Sequence, residues 1–282
     1  MTTDRKTLLS GFLPWRASTP ETTTTAATAP TELIRAEPAL RPKGDDMNEH
    51  IVKSYEDELA LLDRKIAQMG GLAEHILAQS FDAIERRDPK LAEQVVKADK
   101  QIDQLEREIE EQVISMIARR QPLANDLRHV MAALRITGDL ERIGDLAKNI
   151  AKRALAIAHE SHPKPLMTGM RHMGDLALSQ LKDVLDAYAS RNADRALAVW
   201  RSDEQIDSMY NSLFRELLTY MMEDPRSIGL STHLLFGAKN IERVGDHTTN
   251  IAETVHFLVR GVNIADDRPK GDDTSSTLFS KS

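Results

Sequence analysis

A chain of 282 residues has the length of roughly two domains. Charged residues make up 29% of it and leave a net charge of -7, which argues against a general nucleic-acid binder, since such proteins carry a basic patch and a high pI. There is no cysteine, so disulfides and thiolate metal sites are excluded and any metal must sit on oxygen or imidazole.

Aromatic residues are only 4% while Ala, Leu, Ile, Glu and Arg abound, a composition that favours helices over strands. No run approaches the roughly 20 apolar residues that span a bilayer. Arg5-Lys6, the stretch LLSGFLPW and Ala27-Thr28-Ala29 give a weak signal-like look, but Pro14 and Arg16 interrupt a short apolar part. A soluble, cytoplasmic protein is expected.

Residues 1–46 hold ten threonines and five of the eleven prolines, show no helical period, and are read as a disordered extension. Met47 is a plausible alternative start. From residue 48 the prolines fall at breaks between helical patterns: Pro89, Pro122, Pro163, Pro165 and Pro225. They divide the chain into six segments, about 48–87, 89–120, 122–160, 165–190, 192–223 and 226–261. The second carries apolar residues at 3/4 spacing (Leu91, Val95, Ile102, Leu105, Ile109), and the fifth does the same (Val199, Ile206, Met209, Leu213, Leu217). Neither has the period of two that strands need. The tail from Asp266 is polar and is expected to fray.

The chain repeats itself. From residue 140, LERIGDLAKNIA returns 101 residues later as IERVGDHTTNIA, identical at seven of twelve positions. Asp99-Lys100-Gln101-Ile102-Asp103 matches Asp203-Glu204-Gln205-Ile206-Asp207 at an offset of 104. A repeat of this length means one structural unit used twice. The fold class is therefore all-α, with two tandem three-helix bundles. The boundaries read as 47–162 for the first and 163–264 for the second, with 265–282 as a flexible tail.

Each copy places two carboxylates four residues apart, Glu141 with Asp145 and Glu242 with Asp246, which sets them on one helix face about 5–6 Å apart. The preceding helix of each half adds another such pair, Asp99 with Asp103 and Asp203 with Asp207. Glu106 and Glu110 extend the first set, where Tyr210 and Phe214 stand in the second. Four clustered carboxylates are costly unless solvated, protonated or bridged by a hard cation. Both a solvated face and a cation site fit this pattern. Arg142 and Arg243 offer partial neutralisation without metal. Mid-helix Gly144 and Gly245 each cost about 1 kcal/mol against alanine, so something is expected to approach closely there. Asn149 and Asn250 are expected to make helix–helix hydrogen bonds.

A ferritin-like di-metal enzyme is the alternative from another class. It requires Glu-x-x-His on two helices. Only Glu253 with His256 fits, and His256 reads better as a surface residue. No phosphate-binding loop, nucleophile elbow or evident nucleophile–base pair is present. The catalytic set is therefore read as empty, and the chain as no enzyme.

The doubled Glu-Arg-Ile/Val-Gly-Asp resembles the signature of the PhoU family of phosphate-transport regulators. So do residues 118–128 (ARRQPLANDLR), residues 50–59 (HIVKSYEDEL) and Met69-Gly70-Gly71. The resemblance covers about 48–261. It implies two similar three-helix bundles and a negative regulator of phosphate uptake and of the phosphate-starvation response. The implied partners are the ATPase of the Pst phosphate transporter, a sensor histidine kinase of PhoR type, and a second copy in a homodimer. Neither nucleic acid nor direct membrane insertion is implied; any membrane association is peripheral, at its inner face. Some members bind metal clusters, and the carry-over assigns Asp99, Asp103, Glu141 and Asp145 to one site and Asp203, Asp207, Glu242 and Asp246 to the other. The metal is of open identity (Fe, Mn, Zn or Mg). Family members often end the motif in Asp-His. Asp246-His247 keeps this, while Asp145 is followed by Leu146, so the second face is the stronger metal candidate.

Overall fold

The computed structural model describes residues 44–160 and 164–265, with side chains from residue 53 onward. All regular elements among them are helical: α1 (Gly44–Arg86), α2 (Pro89–Arg120), α3 (Ala124–Ile157), α4 (Lys164–Ala189), α5 (Ala193–Arg201), α6 (Asp203–Glu223) and α7 (Ile228–Arg260), with a 3₁₀ turn at Pro225–Ser227. Helix α1 begins at Gly44, three residues inside the stretch expected to be disordered; the rest of that stretch lies outside the described residues. The expected fraying tail also lies outside them, apart from the residues before 266.

The helix ends follow local chemistry. Asp88 caps α2 by accepting from the backbone N–H groups of Lys90 and Leu91, at 2.9 and 3.1 Å, and Pro89 occupies the first helical position, where a missing N–H costs nothing. Asn192 caps α5 in the same way through Asp194 and Arg195. Gly261, with φ of 77°, closes α7 in the left-handed region.

One expected helix is two. The fifth segment breaks at Ser202, whose hydroxyl bonds back to the Val199 carbonyl at 2.7 Å while its own carbonyl accepts from Gln180 on α4 at 2.9 Å. That tertiary hydrogen bond pulls one peptide out of the helix. Asp203 therefore begins α6, whereas its equivalent Asp99 sits in the middle of an unbroken α2.

Helices α1, α2 and α3 form one bundle, and α4, α5/α6 and α7 the other. On α1, Leu62, Ile66, Met69, Ala73 and Ile76 are fully buried at 3/4 spacing, the stripe a bundle helix requires. The two bundles share one continuous core rather than two separate ones. α3 packs against α7, with Arg128 and Arg135 over the Phe257 ring and Arg153 over Phe236. The early part of α3 thus meets the late part of α7, so the two run antiparallel. No helix among the described residues is long and apolar enough to cross a membrane.

Candidate functional site

The paired carboxylates lie where the second and third helix of each half meet. In the first half Asp99 of α2 is buried and faces Lys148 of α3, whose Nζ lies 2.5 Å from Asp99 Oδ2 and 2.6 Å from Asp145 Oδ1. One ammonium thus ties the two helices through two carboxylates. Burial works to lower the Lys148 pKa, but the hydrogen bonds to Asp145 and Asp99 outweigh it and hold the amine charged. Asp99 Oδ1 is buried without a hydrogen-bond partner, and burial leaves its carboxyl above the ordinary range despite Lys148.

The rest of the first face is less well neutralised. Burial raises the Glu141 carboxyl, and the neighbouring Asp145 charge raises it further. Glu106 is raised by burial and then by Glu141 and Glu110. Arg142 leans on Glu141 at 3.4 Å and on Asp145 at 4.0 Å with 62% of its side chain exposed, a geometry worth little in water.

The second half repeats the frame with different cations. Asp203, Asp207 and Glu242 are all buried. Asp203 Oδ1 accepts from Thr249, which occupies the place of Lys148, at 3.1 Å. Lys239 donates to Glu242 Oε1 at 2.9 Å and sits over the Tyr210 ring. Burial still keeps the Glu242 carboxyl raised, and its Oε2 is buried without a hydrogen-bond partner.

The glycines answer the close approach expected of them. A Cβ on Gly144 would stand 2.8 Å from Ile102 Cδ1, and one on Gly245 would stand 3.1 Å from Ile206 Cδ1. What approaches is the neighbouring helix, and Asp99 and Asp203 ride in with it, each 3.5 Å from that Cβ position. The doubled motif is thus first a packing device that brings two pairs of acids together.

His247 Nδ1 lies 2.9 Å from Asp139 Oδ1 on α3, and Asn250 donates to the same oxygen at 3.3 Å. The histidine therefore works at the α3–α7 seam, as does Asn250, the expected helix–helix bonder. Glu253 accepts from Trp200 at 2.9 Å and His256 Nδ1 lies 3.2 Å from the Val262 carbonyl, so the Glu-x-x-His pair serves two separate contacts.

Two features escape sequence reasoning. Lys148 is one, although its i,i+3 spacing from Asp145 was a usable sign. The other is a polar rivet between the halves: Asp63 of α1 accepts from Tyr188 of α4 at 2.5 Å and from Arg191 at 2.8 Å, with His129 Nε2 of α3 at 2.8 Å. Burial works to raise Asp63, but the His129 and Tyr188 hydrogen bonds and the Arg191 charge hold it below the ordinary carboxylate value. With sequence separations of 66 to 128 residues, it leaves no local trace.

The PhoU domain model matches twice, at residues 66–154 and 170–255, one match for each bundle. The chain belongs to the PhoU family. A Rhizobium meliloti relative, described as a phosphate-specific transport system accessory protein PhoU homolog, is 53% identical over 231 residues, covering 82% of this chain and 97% of that protein. A Caulobacter vibrioides homolog of the same description is 52% identical over 226 residues, with 80% and 98% covered. The crystal structure of PhoU from Pseudomonas aeruginosa superposes with a TM-score of 0.72 at 40% identity, covering 74% of this chain and all of that one. The Streptococcus pneumoniae phosphate transport system regulatory protein PhoU gives 0.69 at 30% identity, with 74% and 99% covered. The doubled bundle of this PhoU-family chain is thus that of solved relatives.

Among the described residues no three His, Asp or Glu side chains are arranged to hold an ion. In the first half the Lys148 ammonium already stands between Asp99 Oδ2 and Asp145 Oδ1, so a metal bridging that pair does not fit while the lysine is in place. The second half fits better, because Glu242 Oε2 keeps an open lone pair beside the Asp203–Asp207 helix.

Proposed function

We propose that this chain is the accessory regulator of a phosphate-specific transport system. In that role it links the Pst transporter ATPase to a sensor histidine kinase of PhoR type and holds the phosphate-starvation response down when phosphate is ample. The observation that carries this reading is 53% identity over 97% of a relative described as an accessory protein of that system. The acidic faces support it: they offer binding chemistry, two per molecule, and no nucleophile with its base. They act as docking surfaces for basic groups of a partner. The protein works in the cytoplasm, as a homodimer, and reaches the membrane only through its partners.

A metal is a second reading, favoured at one place by the open oxygen of Glu242. There Asp203, Asp207, Glu242 and Asp246 would have to draw together around a hard cation, since no three of them stand arranged for one, and the cation would supply positive charge to bridge the acids.

The test replaces Glu141, Asp145, Glu242 and Asp246 together with alanine and follows a phosphate-starvation reporter in phosphate-rich medium. Derepression at normal protein level is expected. Full repression by the variant would refute docking through these faces.

A further inference from the structure

The groove between the second and third helix changes character along its length, and does so in both halves. In the first half α2 and α3 run antiparallel, with Asp99 beside Lys148 and Ile102 beside Gly144. Farther along, Glu141 of α3 is close enough to Glu106 of α2 for its charge to add to the burial that raises the Glu106 carboxyl. On α2 the stripe Glu106, Glu110, Ile114, Ile117 then runs at 4, 4 and 3 spacing, so acid gives way to apolar on one face. Ile114 is 67% exposed and Ile117 is exposed too. On α3 the same face runs from Asp145 and Glu141 through Gly138 to Met131 and Leu127, the last two exposed. At Gly138 a Cβ would meet nothing within 4 Å, so the groove is open at its midpoint.

We propose that this groove receives one amphipathic helix of a partner protein. That helix carries Lys or Arg on the half of its face that meets Glu106, Glu110 and Glu141. It carries large apolar side chains on the half that meets Ile114, Ile117 and Met131. The proposal rests on the docking role given above and says what docks.

Charge complementarity selects the occupant. Lys148 serves only Asp99 and Asp145, and the exposed Arg142 is the loose partner of Glu141. The remaining acids crowd one another, and one oxygen of the buried Asp99 has no hydrogen-bond partner. A cation brought from outside relieves that repulsion, and adjoining leucine-sized residues cover the apolar end, which is the helix-in-groove mode of recognition. From Asp99 to Ile117 α2 rises about 27 Å, or five turns, which sets the length of the occupant. A second copy of this chain docking through the same groove would set acid against acid or acid against Ile114, and would supply no counter-charge. The second half keeps the order from acid to apolar: Glu242 lies at one end, and Leu218, Met222 (83% exposed) and Ile228 at the other.

The experiment places the photo-crosslinker p-benzoylphenylalanine at Ala118, next to the apolar end, or at Arg107, next to the acidic end. Both positions are exposed. The full chain is irradiated in phosphate-replete cells and the attached peptides are sequenced. Both positions are expected to capture one partner segment of helical period, with basic residues nearer the Arg107 adduct and apolar ones nearer the Ala118 adduct. Glu106→Lys with Glu110→Lys, and separately Ile114→Glu, are each expected to cut adduct yield about tenfold or more in protein of unchanged helicity. A captured segment without basic residues, adducts between copies of this chain, or no adduct at either position overturns the proposal. If the transporter ATPase or a histidine kinase still co-purifies when no adduct forms, the groove is refuted and the regulatory role stands. If the alanine variants leave repression intact while the adducts form, the groove binds its helix but the acidic faces do not carry repression.

Discussion

Lys148→Met keeps most of the aliphatic stem and removes the ammonium that bonds Asp99 and Asp145 at 2.5 and 2.6 Å. Asp99 is 3% exposed and one of its oxygens already has no hydrogen-bond partner, so the variant leaves both without one. Removing one member of a fully buried pair costs about 3–5 kcal/mol. Here the Lys148 side chain is 23% exposed and that of Asp145 is 35% exposed, so water recovers part of the loss. About 2–3 kcal/mol is expected at pH 7, a fall of roughly 6–9 °C in Tm for a folded region of this size. The sign with pH is fixed. Because its folded-state pKa is raised, the lysine contributes fully below its unfolded value of about 10.4 and loses that contribution only as pH rises through the folded value. In the variant, Asp99 keeps its burial without the ammonium, so its carboxyl rises further and protonation relieves the cost. The gap to the parent protein therefore narrows as pH falls from 7 to 5. Urea denaturation followed by circular dichroism at both values measures it. Asp99→Asn added to Lys148→Met is expected to restore most of the loss. A loss below about 0.5 kcal/mol at pH 7, or a double variant no more stable than the single one, would refute this account.

The glycine pair gives a graded comparison. Gly144→Ala gains up to about 1 kcal/mol of helix propensity but forces a contact at 2.8 Å on the buried Ile102, which costs about 1–3 kcal/mol, so a net loss near 1 kcal/mol is expected. Gly245→Ala, with its nearest contact at 3.1 Å, is expected to be close to neutral; thermal melts that put Gly245→Ala below Gly144→Ala would contradict the geometry. Glu141→Gln is expected to raise Tm at pH 7, because burial and the Asp145 charge raise this carboxyl and the folded state favours its neutral form. That advantage fades as pH falls through the raised folded value towards the unfolded value of about 4.3, and an equal gain at pH 7 and pH 4 would count against it.

The helices were legible because periodicity and caps are local. Proline at residue 89, the stripe on α2 and the glycine after α7 each state their part within a few residues. The doubling was legible because two copies of one motif stood in one chain. The break at Ser202 was not, since it depends on a hydrogen bond from Gln180, 22 residues away on another helix. The acids were found, but their setting was not. Spacing alone set Asp99 with Asp103 on one helix face, and only tertiary packing decides that Asp99 is buried and that Lys148 reaches it. His247 read as a metal candidate because it follows Asp246 in sequence. Consecutive helix residues point about 100° apart, and that turn carries the ring to the α3–α7 seam and Asp139.

The two halves differ in a way that separates packing from function. Both keep the aspartate, the isoleucine three residues later and the glycine that receives them, because α2 meets α3 and α6 meets α7 through that contact. Loss of either isoleucine opens the helix pair and a side chain larger than alanine at either glycine strains it, so the recurrence of this contact is explained by the fold alone. The cations are under no such constraint: Lys148 stands where Thr249 stands, and Lys239 where Gly138 stands. Each half therefore neutralises its acids from a different side, bridging Asp99 and Asp145 in one and reaching Glu242 in the other. In the first half this leaves Glu106, Glu110 and Glu141 facing an open groove; in the second, Tyr210 and Lys239 fill the corresponding place. A duplicated frame carrying two unequal faces lets one molecule meet two partners of different charge pattern. The proposed role between a transporter and a kinase calls for two such unequal contacts.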